Sequence, residues 1–112
     1  METIKSKRHF GRVFAQGHRM NHPLVRMTVL ATNEGDRGKV AFVAAKRLGN
    51  AVWRNRCKRV LREAARLSGL PDGERDIILF ATQATHDAHP SEVAAAIANL
   101  RARAERRYGR LA

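Results

Sequence analysis

The chain has 112 residues, enough for one domain and too few for two. It holds 22 Lys and Arg against 10 Asp and Glu, a formal net charge of +12. The excess positive charges repel each other and destabilise the folded chain unless a polyanion is bound. This excess favours a nucleic-acid-binding domain, and the one cysteine, Cys57, excludes an internal disulfide and a cysteine-rich zinc site.

We expect an intracellular, cytoplasmic protein with no membrane association. No apolar run reaches the roughly 18–20 residues that span a bilayer, and residues 1–10 lack the apolar stretch of a signal peptide. Binding to a membrane surface is the next alternative for a basic chain, but it needs a helix with bulky apolar residues opposite its charges.

The first half of the sequence predicts one helix followed by two strands. Residues 6–17 carry three apolar side chains at the spacing of one helical face and end on a glycine. Residues 22–31 and 39–45 are rich in β-branched and apolar side chains and flank a glycine-containing loop. We expect these strands to pair as a hairpin, with the second one central because it is apolar on both faces.

The second half predicts two helices around a third strand. A helix over residues 50–66 begins with Asn50 as its N-cap, and residues 77–81 form the strand. An alanine-rich helix over residues 91–109 follows, capped by Ser91. Its apolar stripe comprises Val93, Ile97, Leu100 and Ala104. The prediction is a single α+β domain over the whole chain, with the element order α-β-β-α-β-α and helices packed on a sheet.

The helix over residues 50–66 separates apolar from charged side chains at about 100° per residue. Its apolar face comprises Trp53, Cys57, Val60, Leu61 and Ala64. Its opposite face comprises Asn55, Lys58, Arg59, Arg62 and Arg66, with Arg54 and Arg56 near the borders. Residues 46–66 hold eight Lys or Arg against one Glu, a net charge of +7. Solvated charged faces usually mix signs, so we interpret this one as a phosphate-contacting surface.

The segment KRLGNAVWRNRCKRVLREAAR (residues 46–66) resembles the RNR motif of the bacterial ribonuclease P protein component. The match runs without a gap through Gly49, Asn50, Ala51, Val52, Arg54, Asn55, Arg56, Lys58, Arg59, Leu61, Arg62 and Glu63. RHFGRVFAQGHR (residues 8–19) resembles the first helix of that family, and DIILFA (residues 76–81) resembles the strand after the motif. The resemblance therefore extends over nearly the whole chain.

The resemblance implies a subunit of the ribonucleoprotein endonuclease that removes the 5′ leader from precursor tRNA. The RNA subunit is expected to carry the phosphodiester hydrolysis, with Mg²⁺ held mainly by that RNA. The expected partners are the RNase P catalytic RNA and the single-stranded leader of precursor tRNA, with no obligate protein partner. The family fold is an α/β sandwich with a left-handed βαβ crossover, whereas most such crossovers are right-handed.

Carried over by position, the resemblance gives two sets of binding residues, with no catalytic residue and no metal ligand in this chain. The RNA-binding set is Lys46, Arg47, Asn50, Arg54, Asn55, Arg56, Lys58, Arg59 and Arg62. The leader cleft, between the first helix and the sheet, is expected to hold Phe10, Phe14 and Met27. Bases stack on such aromatic rings, and core packing is the alternative for both phenylalanines. Met27 stands where many members have an aromatic residue, and Arg26 adds a charge with no clear family counterpart.

Three other features give weaker signals. His86, Asp87 and His89 suggest a metal site, but a surface loop is the simpler interpretation because a fourth ligand is missing. The ten acids are scattered and predict no nuclease centre, which agrees with catalysis by RNA. Residues 101–110 are basic, and they either contact RNA or form a solvated helix end.

Two other functions stay open on the sequence alone. A structural RNA-binding module, such as a ribosomal protein, explains the charge without a part in cleavage, and a preference for precursor over mature tRNA would argue against it. A DNA-binding protein with the basic helix in the major groove is less favoured, because helices that read bases carry mixed polar residues.

Overall fold

The computed structural model describes residues 1–33 and 35–108. Its helices and strands are α1 (Lys7–Gln16), β1 (His18–Asn21), β2 (Val25–Ala31), β3 (Val40–Val43), α2 (Ala51–Leu67), β4 (Arg75–Ala81) and α3 (Pro90–Tyr108). Short 3-10 turns at Lys46–Leu48 and Gln83–Asp87 precede α2 and α3. The predicted order α-β-β-α-β-α is confirmed, with the short strand β1 added after α1. Residue 109, the predicted end of the last helix, lies outside the described residues.

The strands form one mixed sheet in the order β1-β2-β4-β3. β1 and β2 are antiparallel neighbours, β2 is antiparallel to β4, and β3 is parallel to β4, so that Met27 and Phe42 flank Leu79. The predicted hairpin between residues 22–31 and 39–45 is therefore wrong, because β4 lies between these strands.

β3 lies at the edge of the sheet, so its predicted central position is also wrong. Its two faces are apolar because hydrophobic clusters cover both of them. The N-terminal segment covers its outer edge: the N–H of Ile4 donates to the Val40 carbonyl at 2.9 Å, and the N–H of Val40 donates to the Glu2 carbonyl at 3.1 Å. Apolar residues on both faces of a strand thus indicate that the faces are covered, and not that the strand is central.

The β3-α2-β4 connection joins parallel neighbours, and its hand follows from Ile77 in β4. The N–H of Ile77 points towards β3 and donates to the Lys39 carbonyl at 2.9 Å, while its side chain packs in the core that contains α2. In an ascending strand of L-residues, a side chain that faces the viewer has its N–H on the right. With α2 in front, the chain therefore passes from β3 on the right to β4 on the left. This crossover is left-handed, against the usual rule.

Each face of the sheet has its own hydrophobic core. The larger core lies between the sheet and helices α2 and α3, and the predicted stripe of α3 is confirmed because all four of its residues are buried. The smaller core lies under α1 and contains Val13, Ala41 and Ile78. No helix within the described ranges is long and apolar enough to cross a membrane.

The starts of the two long helices were predicted with different success. The side chain of Asn50 accepts a hydrogen bond from the N–H of Trp53 at 2.9 Å, so the predicted cap of α2 is confirmed. The predicted Ser91 cap is wrong, since α3 already begins at Pro90 and the preceding residue is His89. Proline suits the first helical position, because an N–H there has no partner within the helix.

Candidate nucleic-acid interface

The inner face of α2 anchors the basic helix to the sheet. Its buried residues are Cys57, Val60, Leu61, Ala64 and Ala65. The predicted apolar face is confirmed except for Trp53, which is only half-buried. Burial raises the pKa of the Cys57 thiol, so this group stays neutral inside the core near neutral pH.

The outer face of α2 presents most of the predicted cations to solvent. Exposed residues are Asn55, Arg56, Arg59, Arg62 and Arg66, whereas Arg54 and Lys58 are half-buried. The guanidinium of Arg62 lies 5.1 Å from the centre of the Phe42 ring, a cation–π contact that holds it near β3. The acidic residue on this helix, Glu63, is paired with Arg66, whose Nε lies 3.0 Å from Glu63 Oε2. That hydrogen bond lowers the pKa of Glu63. Because Glu63 is paired with Arg66, the charges of Arg59 and Arg62 are available to bind an anion.

Arg54 and Arg56 sit at the two borders of this face in different surroundings. Arg56 Nε donates to the His86 carbonyl at 2.9 Å, which ties it to the turn before α3. The His86 ring stacks on Trp53, with centroids 4.9 Å apart and planes 8° from parallel. Arg54 Nε is buried and has no hydrogen-bond partner among the described residues. A buried donor without a partner is costly, so a water or another polar group is expected to complete its hydrogen bond.

The turn before α3 uses its polar side chains locally. His86 Nδ1 lies 2.8 Å from Asp87 Oδ1, and His89 Nδ1 lies 2.7 Å from Ser91 Oγ. Among residues 1–33 and 35–108, no three His, Cys, Asp or Glu side chains are grouped so that they could hold a metal ion.

The turn that leads into α2 carries Lys46 and Arg47, and both side chains are exposed. Gly49 follows, and a Cβ on it would lie 3.0 Å from the ring of Trp53, so a larger residue would press on that ring. Asn50 is exposed but its side-chain oxygen already accepts the N–H of Trp53, which leaves its amide group for other contacts.

A groove of about 360 Å³ lies on the α1 face of the sheet, at the ends of β2, β3 and β4 nearest the Lys46–Leu48 turn. Its walls combine one exposed aromatic ring with cations. The lining comprises Phe14, Arg19, Met20, Asn21, Arg26, Met27, Thr28, Val43, Ala45, Arg47, Phe80 and Ala81. A further depression of about 410 Å³ shares Asn21, Arg26, Arg47 and Ala81 with the groove and continues it past the strand ends.

The two predicted phenylalanines have different exposures. Phe14 is 40% exposed and borders the groove, whereas Phe10 is half-buried and packs against the smaller core. Their ring centroids are 6.2 Å apart, and Phe80 meets Phe14 edge-on at 5.9 Å. The Arg19 guanidinium lies 4.3 Å from the centre of the Phe14 ring. Phe14 therefore fits a base-stacking role, and Phe10 supports it.

Met27 is among the residues that line the groove, but its side chain packs mainly in the core. Met27 is 1% exposed and belongs to the larger core, on the other face of the sheet. Successive side chains of a strand point to opposite faces, so its neighbours Arg26 and Thr28 are the ones that face α1. The role of Met27 in the leader cleft stays a prediction, and Arg26 and Thr28 are the side chains of β2 that line the groove beside it.

Three different elements contribute Arg19, Arg47 and Phe80 to the groove. The sequence did not assign Arg19 or Phe80 to it. Arg19 lies on β1, a strand that the sequence did not predict. Phe80 lies in a predicted strand, but the prediction did not say which face of the sheet its side chain occupies. The alternation of β4 could have found Phe80, because its neighbours Leu79 and Ala81 point to the larger core. Arg47 connects the groove to the start of α2, so the two predicted binding surfaces are adjacent.

Comparison with known proteins yields a consistent set of relatives. A family model described as Ribonuclease P matches residues 1–105. The ribonuclease P protein component of Dehalococcoides mccartyi strain CBDB1 is 37% identical over 78 residues, which cover 70% of this chain and 63% of that protein. The component of Shouchella clausii is 31% identical over 105 residues, which cover 93% and 86%. This chain thus matches less than two thirds of the length of the first relative and most of the second.

A solved structure shows the same fold. The RNase P protein of Staphylococcus aureus superposes with a TM-score of 0.76 at 26% identity, covering 94% of this chain and 96% of that one. The similarity therefore extends over the sheet and the helices on both of its faces.

Proposed function

Because the chain belongs to the ribonuclease P protein family, we propose that it is the protein subunit of a ribonuclease P that removes the 5′ leader from precursor tRNA. In this proposal the groove binds the single-stranded leader, and the outer face of α2 binds the catalytic RNA. The observation that carries the proposal is the groove itself, in which Phe14 lies beside Arg19, Arg26 and Arg47.

The chemistry of the groove suits a single strand. An aromatic ring stacks on any base, and arginines bind the phosphates between bases, so a leader of varied sequence is accepted. Duplex RNA or DNA keeps its bases stacked on each other and offers none to Phe14. This argument favours a single-strand-binding subunit over a protein that binds duplex DNA, and the family match favours it over a structural module of the ribosome.

The proposal assigns the hydrolysis to the RNA subunit, with Mg²⁺ bound mainly there. The contribution of this chain is binding and orientation: it holds the leader and the catalytic RNA through adjacent surfaces. We place this assembly in the cytoplasm and require no further protein partner for it.

The proposal is tested by comparing the affinity of the reconstituted protein–RNA complex for precursor tRNA and for mature tRNA. We expect the protein to strengthen precursor binding and to leave mature tRNA binding nearly unchanged. The variant Arg26→Ala should reduce this selectivity, because it removes a groove cation and leaves α2 intact. Equal strengthening for both RNAs would indicate a general RNA-binding module, and tighter binding of duplex DNA at the same salt concentration would indicate a DNA-binding protein.

A further inference from the structure

A second basic pocket lies on the α1 face of the sheet, beyond the opposite end of the strands from the groove. It has a volume of about 560 Å³ and shares no lining residue with the groove or with α2. The start of α1, the residues after β2 and the start of β4 enclose it. Four cations line it: Arg8, Arg12, Arg37 and Lys39.

Within residues 1–33 and 35–108, these four cations form no ion pair with an acid. Arg8, Arg12 and Arg37 are exposed and Lys39 is half-buried. The pocket also contains Asp36, which is exposed and leaves the cations in excess.

The other carboxylate of the pocket, Asp76, is already satisfied by the protein. It is 1% exposed, and its Oδ2 lies 2.7 Å from Nε2 of His9. Its Oδ1 accepts the N–H of Lys39 at 2.9 Å. Because both oxygens of Asp76 already have hydrogen-bond partners, the carboxylate does not neutralise the arginines of the pocket. Its two hydrogen bonds hold α1 and the start of β3 in place as walls of the pocket.

The start of α1 adds to the positive potential. Its first turn contains Lys7, Arg8 and His9 and no acid. Cations at this end of a helix oppose the helix dipole, whereas an anion there is stabilised by the dipole and by the exposed N–H groups. The Ser6 side chain caps this turn by accepting the N–H of His9, and an anion nearby would further offset the positive charge.

We propose that this pocket binds backbone phosphates of an RNA segment at a point separate from the leader groove. The inference rests on the proposed function for the identity of the polyanion. Apart from the imidazole of His9, no aromatic side chain of the described residues lines the pocket, so it holds phosphates without stacking on bases. The protein then contacts RNA at both ends of the α1 face and along α2.

The first test is a titration of the full chain with inorganic pyrophosphate at constant ionic strength, followed by the NMR shifts of the Ser6–His9 and Lys39 amides. We expect saturable shifts, with at least fivefold weaker binding in Arg12→Gln and in Arg37→Gln. The control is Arg106→Gln, an exposed charge on α3 across the sheet, which should bind as the wild type does. Shifts that do not saturate, or equal weakening in the control, would overturn the site.

The second test measures binding to a bacterial ribonuclease P RNA as a function of salt. Arg12→Gln and Arg37→Gln should each reduce the slope of log K against log salt by about 1, while the affinity for a leader oligonucleotide changes less than twofold. Pyrophosphate binding with an unchanged slope would reduce the pocket to an inorganic anion site and overturn its role in RNA binding. The proposed function fails separately, if the wild-type protein does not stimulate cleavage.

Discussion

At the scale of single residues, α1 shows how neighbours in sequence serve different purposes. Val13 is fully buried on the face of α1 that packs on the sheet, whereas Phe14 is 40% exposed at the rim of the groove. A helix turns about 100° per residue, so one side chain packs while the next is free to bind. Substituting the two residues in turn separates stability from leader binding.

Phe14→Ala is expected to weaken precursor tRNA binding about 5- to 150-fold, the equivalent of about 1–3 kcal/mol for one stacked base. The melting temperature should change little, because the ring is partly exposed and alanine favours the helix. Binding is measured with the reconstituted complex, and melting by circular dichroism on the protein alone.

Val13→Ala is the matched control one residue away. It should lower the free energy of unfolding by about 1–3 kcal/mol, because it removes buried methyl groups from the smaller core. Precursor binding at a temperature where the variant is folded should stay within twofold. A large drop in stability for Phe14→Ala with unchanged leader affinity would assign Phe14 to the core.

At the scale of elements, α2 combines an anchor and a binding surface. The buried face fixes the helix on the sheet, and the exposed face carries arginines whose mutual repulsion the core has to offset. Substitutions on the two faces should therefore affect different measurements.

Leu61→Ala is expected to lower the free energy of unfolding by about 2–5 kcal/mol, since Leu61 is fully buried between α2 and the sheet. Leu67, 50% exposed at the end of the same helix, supplies the control. Leu67→Ala should cost less than about 1 kcal/mol. Urea unfolding measures both, and equal destabilisation would contradict the assigned faces of α2.

Arg59→Ala and Arg62→Ala are expected to weaken binding to the catalytic RNA and to reduce its salt slope by about 1 for each phosphate that the arginine neutralises. Both side chains are exposed, so the melting temperature should hardly change. Arg106→Ala on α3 removes the same charge from the basic end of α3, taken as the solvated helix end, and should leave the slope nearly unaltered. A wild-type slope in the α2 variants would remove those residues from the interface.

The elements also show what the sequence could and could not reveal. Helices α2 and α3 were predictable because long amphipathic patterns repeat over several turns. β1 was missed because HRMN is four residues long and mostly polar. The place of β4 between β2 and β3 was hidden, because strand order depends on contacts between distant segments. The same limit applies to the surroundings of Met27, which depend on the register of β2 with β4.

At the scale of the whole molecule, the fold distributes a net charge of +12 over separate surfaces on the two faces of the sheet. The groove and the outer face of α2 meet at Arg47, and the pocket beside α1 lies beyond the other end of the strands. Under the proposed function, RNA contacts both faces of the sheet. The family resemblance implied the assembly, and the structure adds the positions of the surfaces that would contact it.

The most direct test of the central claim is precursor tRNA cleavage at low Mg²⁺ concentration with a bacterial ribonuclease P RNA. The reaction is run with the RNA alone, with this protein alone and with both together. The account predicts accurate removal of the leader at a greatly increased rate only when both are present. Cleavage by the purified protein alone would contradict the assignment of the chemistry to RNA, and no stimulation of a cognate RNA would contradict the proposed subunit.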